Sequence, residues 1–368
     1  MQTYKAILQD LESQGRYRSL QKTSGIDLTS NDYLGLAGHS ALRQAANDAL
    51  DSGMDLGSGG SRLLRGNHDA HAALEDYAAR YFGCEAVLFF ATGFQANYAL
   101  FTALLSRTDI VIMDQLIHAS ARDGIQASNA RRVKVAHNDL DAFEDALKKS
   151  KGKSGQIWIA VESIYSMDGD IAPIKDLLVL AEQYDAMLVV DEAHASGIWG
   201  EHGKGFTGGI KHDRLISMHT CGKALGVAGG LICASQDVVD MLINKARAFI
   251  YSTAPMPLQA VLVKRALELI QEEPQRRESL RVICQHAQSL WGGAGTQIIP
   301  IILGEDHVAV EAAQHLQENG FDIRAIRPPT VPEGTSRLRV SLNTNITKEQ
   351  LNQVYKHIQT FQDKKKVA

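Results

Sequence analysis

The sequence predicts an α/β fold, with a mostly parallel central sheet in a large domain and a smaller C-terminal α+β domain. Two observations carry this. From about residue 71 to residue 234, short apolar runs alternate with helix-length stretches, the pattern of strands buried on both faces and joined by helical crossovers. Beyond about residue 270 the alternation gives way to long helices and a few separated strands. A length of 368 residues suits two domains at roughly 150 residues each. The expected division is an N-terminal segment over 1–38, a large domain over 39–270 and a small domain over 271–368.

In chain order, Ile7 and Leu11, four apart, mark an amphipathic helix ending near Gly15. Ser30 to Gly35 is turn-rich, and Gly57-Ser-Gly-Gly-Ser-Arg62 is a flexible loop. A helix follows near His71–Phe82. Ala86–Phe90, Ile110–Met113, Val133–Ala136, Ile157–Val161, Met187–Val190, Leu215–Ser217 and Gly229–Ala234 read as strands. Helices open at Gly93, His118 and Leu140, and at Pro173, a residue well suited to a first helical turn. In the last hundred residues, helices near Leu258–Gln271 and Arg277–Trp291 lead to strands at Ile298–Ile302, Phe321–Arg324 and Leu338–Leu342. A final helix covers about Lys348–Phe361.

Composition excludes several classes. A formal charge of -4 provides no strong basic field for nucleic acid. Lys364, Lys365 and Lys366 read as a solvated helix end. The cysteines, Cys84, Cys221, Cys233 and Cys284, form no Cys-x-x-Cys pair. His68 and His71 have no further His or Cys at metal-site spacing, so surface or capping roles are expected and no metal. No apolar stretch reaches membrane-spanning length, and the N-terminus has no leader pattern. A cytoplasmic enzyme is the expectation.

Lys223 carries the chemistry. It sits in Ser217-Met-His-Thr-Cys-Gly-Lys223, a small-residue turn after an apolar run, and Asp191-Glu-Ala-His194 ends another. Functional groups in such sheets collect at the carboxyl ends of strands. An acid, a histidine and a lysine at those ends suggest a pyridoxal 5'-phosphate (PLP) site, where the lysine holds the aldehyde and the acid pairs with the pyridine nitrogen. Asp-Glu-Ala-His also occurs in helicases, but that reading needs a phosphate loop. Gly152-Lys153-Ser154 lacks the earlier glycine, since Leu147 stands there.

Eight motifs in order over nearly the full chain resemble the α-oxoamine synthases, fold-type I PLP enzymes. They are Ser30-Asn-Asp-Tyr-Leu-Gly-Leu36, Gly57-Ser-Gly-Gly-Ser-Arg62, Thr92-Gly-Phe-Gln-Ala-Asn97, His118-Ala-Ser120, Ser166-Met-Asp-Gly-Asp170, Asp191-Glu-Ala-His194, Thr220-Cys-Gly-Lys223 and Tyr251-Ser-Thr253. The family condenses an amino acid with an acyl thioester and releases carbon dioxide. Arg327-Pro-Pro-Thr330-Val-Pro and Ser336-Arg-Leu-Arg339 are similar to the branch that uses L-alanine and a pimeloyl thioester, carried by CoA or a carrier protein. The alternatives are a sister enzyme, such as a glycine C-acetyltransferase, and a non-catalytic protein of the same fold.

The resemblance implies a role for each matching residue. Lys223 holds the cofactor and moves the Cα proton, Asp191 pairs with the ring nitrogen, His194 bonds the ring oxygen or substrate region, and His118 stacks on the ring. Gly93, Phe94 and Thr220 bind the phosphate, and Ser166 contacts the ring or the thioester. Ser252 and Thr253 reach the phosphate of the other subunit of a homodimer with shared active sites. Asn31 and Arg339 are candidates for the amino-acid carboxylate. Arg337 lies on the same strand face as Arg339, so the residues alone leave that choice open. Thr330 and an N-terminal arginine, Arg16 or Arg18, complete the substrate set. Cys221 stands where the family often has another residue.

Overall fold

The computed structural model describes residues 3–367, which group into two compact units. The larger comprises residues 34–166 and 171–277, and the smaller the described residues up to 33, 167–170 and those from 278 onward. The N-terminal segment therefore falls with the C-terminal residues instead of standing apart, because Ile26–Asp27 pairs in parallel with Phe321–Asp322 and Leu28 accepts the Ser341 N–H. The division falls inside the helix Pro274–Trp291, one helix later than the sequence suggests.

The larger unit is built on a seven-stranded sheet in the order Ala86–Phe90, Gly230–Ala234, Leu215–Thr220, Ala186–Asp191, Ile157–Glu162, Ile110–Asp114, Arg131–Val135. Gly230–Ala234 runs antiparallel to both neighbours, and the other pairs are parallel. Alternate residues feed opposite cores. Val111, Met113, Trp158, Ala160 and Val189 pack with the helices Gly93–Leu104 and Ala119–Ala127. Ile110, Ile112, Ile157, Ile159, Leu188 and Val190 pack with Leu140–Ser150 and Ile174–Gln183. Burial on both faces is why these strands read as continuous apolar runs rather than alternating ones.

Local chemistry sets the helix ends. Thr92 accepts the Gln95 N–H and Asp139 the Ala142 N–H, as N-cap residues do. Gly83 closes Asp69–Phe82 at φ 77°, where a Cβ would be strained. The sequence reading passes over Ser40–Asp51, Gln236–Lys245 and the short Arg247–Ile250.

The smaller unit has an antiparallel sheet of Ala325–Ile326, Ser336–Ser341 and Ile298–Gly304, with the helices Asp306–Glu318 and Lys348–Val367. The expected strand at Phe321–Arg324 is shorter, Phe321–Asp322, and a second short strand follows at Ala325–Ile326. Residues 167–170 join this unit through Asp168, which ion-pairs with Arg337, and Gly169, whose carbonyl accepts the Thr296 hydroxyl. A side chain at Gly169 would meet the Ile298 carbonyl at 2.2 Å. Tyr4–Ser13 is helical as expected, with no buried residue. No helix among the described residues is long and apolar enough to cross a membrane.

Candidate functional site

In the larger unit the parallel strands deliver their last residues to one edge. Asp191 ends Ala186–Asp191, Glu162 ends Ile157–Glu162 directly beside it, and Thr220 ends Leu215–Thr220. Lys223 follows in the turn, and its Nζ lies 2.7 Å from Nε2 of buried His194.

A second chain of contacts runs through Asp191. Its Oδ1 accepts the Ala193 N–H at 2.9 Å, and its Oδ2 accepts Asn97 Nδ2 at 2.8 Å. Asn97 also donates to Ser120 Oγ at 2.9 Å. Ser120 Oγ is 2.8 Å from His118 Nδ1, which also accepts the Ser120 N–H. Nδ1 is thus an acceptor, so the Ser120 hydroxyl donates to it and the neutral ring carries its proton on Nε2. His118 sits at the exposed end of this relay, and desolvation of its ring, the largest cause, holds it below the ordinary imidazole range. Asp191 pulls the other way, while Lys223 and Arg122 add to the lowering.

Glu162 is fully buried. Its Oε2 accepts the Ser166 N–H at 3.2 Å, and Oε1 has no hydrogen-bond partner among the described residues. Burial and then the adjacent Asp191 push its pKa well up, so it retains a proton where an ordinary carboxyl is ionised.

The N-terminus of Gly93–Leu104 lies against the same strand ends. A Cβ at Gly93 would sit 2.9 Å from Thr220 Oγ1, so glycine permits this approach. Thr220 is buried and bonds the Gly229 carbonyl. First-turn N–H groups with a nearby hydroxyl form an anion site. Ser252 is half-buried and Thr253 exposed on a loop after Arg247–Ile250.

In the smaller unit, Arg339 donates to Asn31 Oδ1 at 3.2 Å, to the Tyr33 hydroxyl at 3.3 Å and to Ser341 Oγ at 2.6 Å. Asn31 and Arg339 are therefore brought together as expected. Arg337 is buried in an ion pair with Asp168, a structural engagement that the sequence could not distinguish. The two N-terminal arginines also differ. Arg16 is held by Asp306 at 2.8 Å and Glu333 at 2.6 Å, whereas Arg18 donates to the Thr330 hydroxyl at 3.1 Å.

The groups in the larger unit fit PLP. They supply an amine in Lys223, a buried carboxylate oriented by Asn97, a neutral imidazole at the strand ends, and N–H and hydroxyl donors for a phosphate. Asn97 Oδ1 and Glu162 Oε1 are buried polar atoms without a hydrogen-bond partner among the described residues. Buried Cys221, the departure from the family pattern, is a thiol pushed far up by burial, so it stays un-ionised. Sequence reasoning gave no role to Asn97, Ser120 or Glu162, although the first two stand inside quoted motifs.

Residues 23–358 match the family described as Aminotransferase class I and II. The chain is 41% identical to the 8-amino-7-oxononanoate synthase of Geobacter sulfurreducens over 91% of each chain. It is 43% identical to that of Chromobacterium violaceum, covering 93% of this chain and 91% of the relative. Among solved structures it is similar to a serine palmitoyltransferase of S. paucimobilis with PLP bound, at 25% identity and a TM-score of 0.89, covering 99% of this chain and 98% of that one. It is also similar to the 8-amino-7-oxononanoate synthase of Francisella tularensis, at 28% identity and a TM-score of 0.80, covering 94% and 99%.

Proposed function

We propose that this chain, which belongs to the class I and II aminotransferase family and within it to the 8-amino-7-oxononanoate synthases, joins L-alanine to a pimeloyl thioester with loss of carbon dioxide. It is a PLP-dependent acyltransferase of biotin biosynthesis, with the fold-type I architecture. The observation that carries the reading is Lys223 Nζ at 2.7 Å from His194 Nε2, on the same sheet edge as the oriented Asp191 carboxylate.

PLP, when bound, supplies the electron sink for the amino-acid carbanion. The protein's residues then have separate tasks. Lys223 holds the cofactor and moves the proton at the alanine Cα, with His194 orienting its amine. Asp191 keeps the ring nitrogen protonated, and Asn97 keeps Asp191 in position. His118 would stack on the ring, and Ser166 would contact the ring or the thioester. Gly93, Phe94 and Thr220 hold the phosphate. Arg339 offers its planar fork to the alanine carboxylate, with Asn31 beside it.

The pimeloyl chain ends in a second carboxylate, which is costly to bury without a cation. Arg18 with Thr330 suits it better than Arg16, whose guanidinium already serves two carboxylates. The enzyme works in the cytoplasm as a homodimer in which Ser252 and Thr253 reach the partner's cofactor phosphate. The acyl carrier is CoA or an acyl carrier protein.

The test is product mass spectrometry with holoenzyme, L-alanine and pimeloyl-CoA. A decarboxylated amino-ketone of the combined carbon skeleton is expected. Product only from glycine and acetyl-CoA would indicate a sister acetyltransferase, and none from any pairing a non-catalytic protein.

A further inference from the structure

His71 is a fully buried imidazole used at both ring nitrogens. Its Nδ1 accepts the His68 backbone N–H at 3.2 Å, closing the start of the helix Asp69–Phe82. The neutral ring therefore carries its proton on Nε2, which donates to the Pro255 carbonyl at 2.8 Å, 184 residues along the chain. Burial, aided by Arg62, pushes His71 down to about 4, which preserves this neutral form at physiological pH.

The Pro255 carbonyl also accepts the Ser58 hydroxyl at 2.6 Å, which fills its second lone pair. One residue earlier, the Ala254 N–H donates to the Gly60 carbonyl at 2.9 Å. A side chain at Gly66 would meet the Gly60 oxygen at 2.1 Å and Ala254 Cβ at 2.9 Å. The loop 252–256 thus has a buried foot, Ala254 and Pro255, clamped by the loop 58–66 and by His71. Ahead of the foot, Ser252 is half-buried and Thr253 is exposed. A rigid foot beside half-buried Ser252 and exposed Thr253 is the arrangement of a preorganised contact, which needs little further ordering when its ligand binds.

We infer that His71 is a positioning residue for phosphate binding in trans: it locks the Pro255 foot so that Ser252 and Thr253 stand fixed for the neighbouring copy's cofactor phosphate. This rests on the homodimer with shared sites proposed above. The ring acts only through the loop and touches neither cofactor nor substrate.

The test uses holoenzyme and three variants. His71→Leu removes the ring donor, His71→Gln restores an N–H toward Pro255, and Ser58→Ala removes the second donor to the same carbonyl. PLP release is followed by dilution into a PLP scavenger, timed borohydride quenching, and mass spectrometry of the Lys223 peptide. A loosened loop would lose a hydroxyl contact to a charged phosphate, and a hydrogen bond to a charged group is worth about tenfold or more, so His71→Leu is expected to release PLP about tenfold faster. His71→Gln should recover most of the difference, and Ser58→Ala should shift release in the same direction as His71→Leu.

Mixed dimers of His71→Leu and Lys223→Ala subunits then separate trans from cis. The Lys223-bearing site takes its loop from the subunit with intact His71, so its PLP should leave at the wild-type rate. Release there as fast as in the His71→Leu homodimer would overturn the inference while leaving the dimer intact. If His71→Leu does not fold, unchanged release in Ser58→Ala overturns it. A monomeric mass for the wild-type holoenzyme instead defeats the shared-site reading itself, and this inference with it.

Discussion

Asn97 donates to Asp191 Oδ2 at 2.8 Å, so a carboxamide inside a helix fixes a carboxylate at the end of a strand 94 residues further on. Its other amide proton goes to Ser120 Oγ, and through that hydroxyl the network ends on His118 Nδ1. Two groups expected to flank the cofactor ring are thereby tied to one buried side chain.

Replacing Asn97 with Leu removes both donors and leaves Asp191 short of a partner. A lost hydrogen bond to a charged group is worth about 1.5–3 kcal/mol, which corresponds to a fall in kcat of roughly tenfold or more. PLP content should persist, because Lys223 is untouched. Steady-state kinetics together with absorbance of bound PLP check this, and an unchanged kcat would remove Asn97 from the site.

Lys223→Ala should lose the borohydride-trapped PLP adduct and nearly all turnover while the circular dichroism spectrum stays unchanged. The side chain is half-buried at a turn and contributes little to core packing. A trapped adduct mapped to any other lysine would refute the assignment.

The two N-terminal arginines should separate cleanly. Arg18→Ala should raise KM for pimeloyl-CoA about tenfold or more, from the loss of a charge-assisted contact, with little change for an uncharged acyl-CoA of similar length. Arg16→Ala leaves Asp306 and Glu333 without their shared cation, so its effect should appear mainly as a small fall in Tm, because solvent screens exposed ion pairs. The reverse pattern would assign the far carboxylate to Arg16.

Acid sensitivity has an identifiable source in His219. It is buried between Ser196 and Ser217 and stacked on Phe82, and burial alone pushes it down to about 3. The unfolded chain takes up a proton near the ordinary value of 6.5, and the folded protein does not until about 3. Stability from this group is therefore complete above pH 6.5 and is lost as pH falls toward 3, by about 2 kcal/mol at pH 5. Urea unfolding at pH 7 and pH 5 should show that difference shrinking by a similar amount in His219→Gln. An identical difference in both proteins would point to other groups.

The sheet was legible because its strands are buried on both faces, which leaves apolar runs such as Ile157–Val161 and Met187–Val190 unbroken. Lys223, Asp191 and His194 were legible because they follow such runs. Other elements were hidden for physical reasons. Ser40–Asp51 buries only Leu42 and Ala49, and Gln236–Lys245 only Val239 and Leu242, so each commits just two residues to the core. Phe321–Arg324 reads as one strand, but only Phe321–Asp322 is strand there, on Ile26–Asp27, and the next strand, Ala325–Ile326, pairs with Ser336–Ser341 instead. Asn97 looks like an ordinary helix residue until the fold brings it to Asp191. Arg337 and Arg339 are indistinguishable by spacing, and only the ion pair with Asp168 separates them. His71, expected at the surface or as a cap, is a cap that is also fully buried.

The most direct test of the proposed chemistry is a comparison of kcat/KM for L-alanine with a pimeloyl thioester against glycine with acetyl-CoA. Each buried methylene contributes about 0.8 kcal/mol, and the far carboxylate adds a charged contact, so a site shaped for pimeloyl discriminates strongly. The pimeloyl pair should be favoured by several orders of magnitude. Comparable values, or a preference for glycine with acetyl-CoA, would contradict the substrate assignment while leaving the PLP chemistry in place.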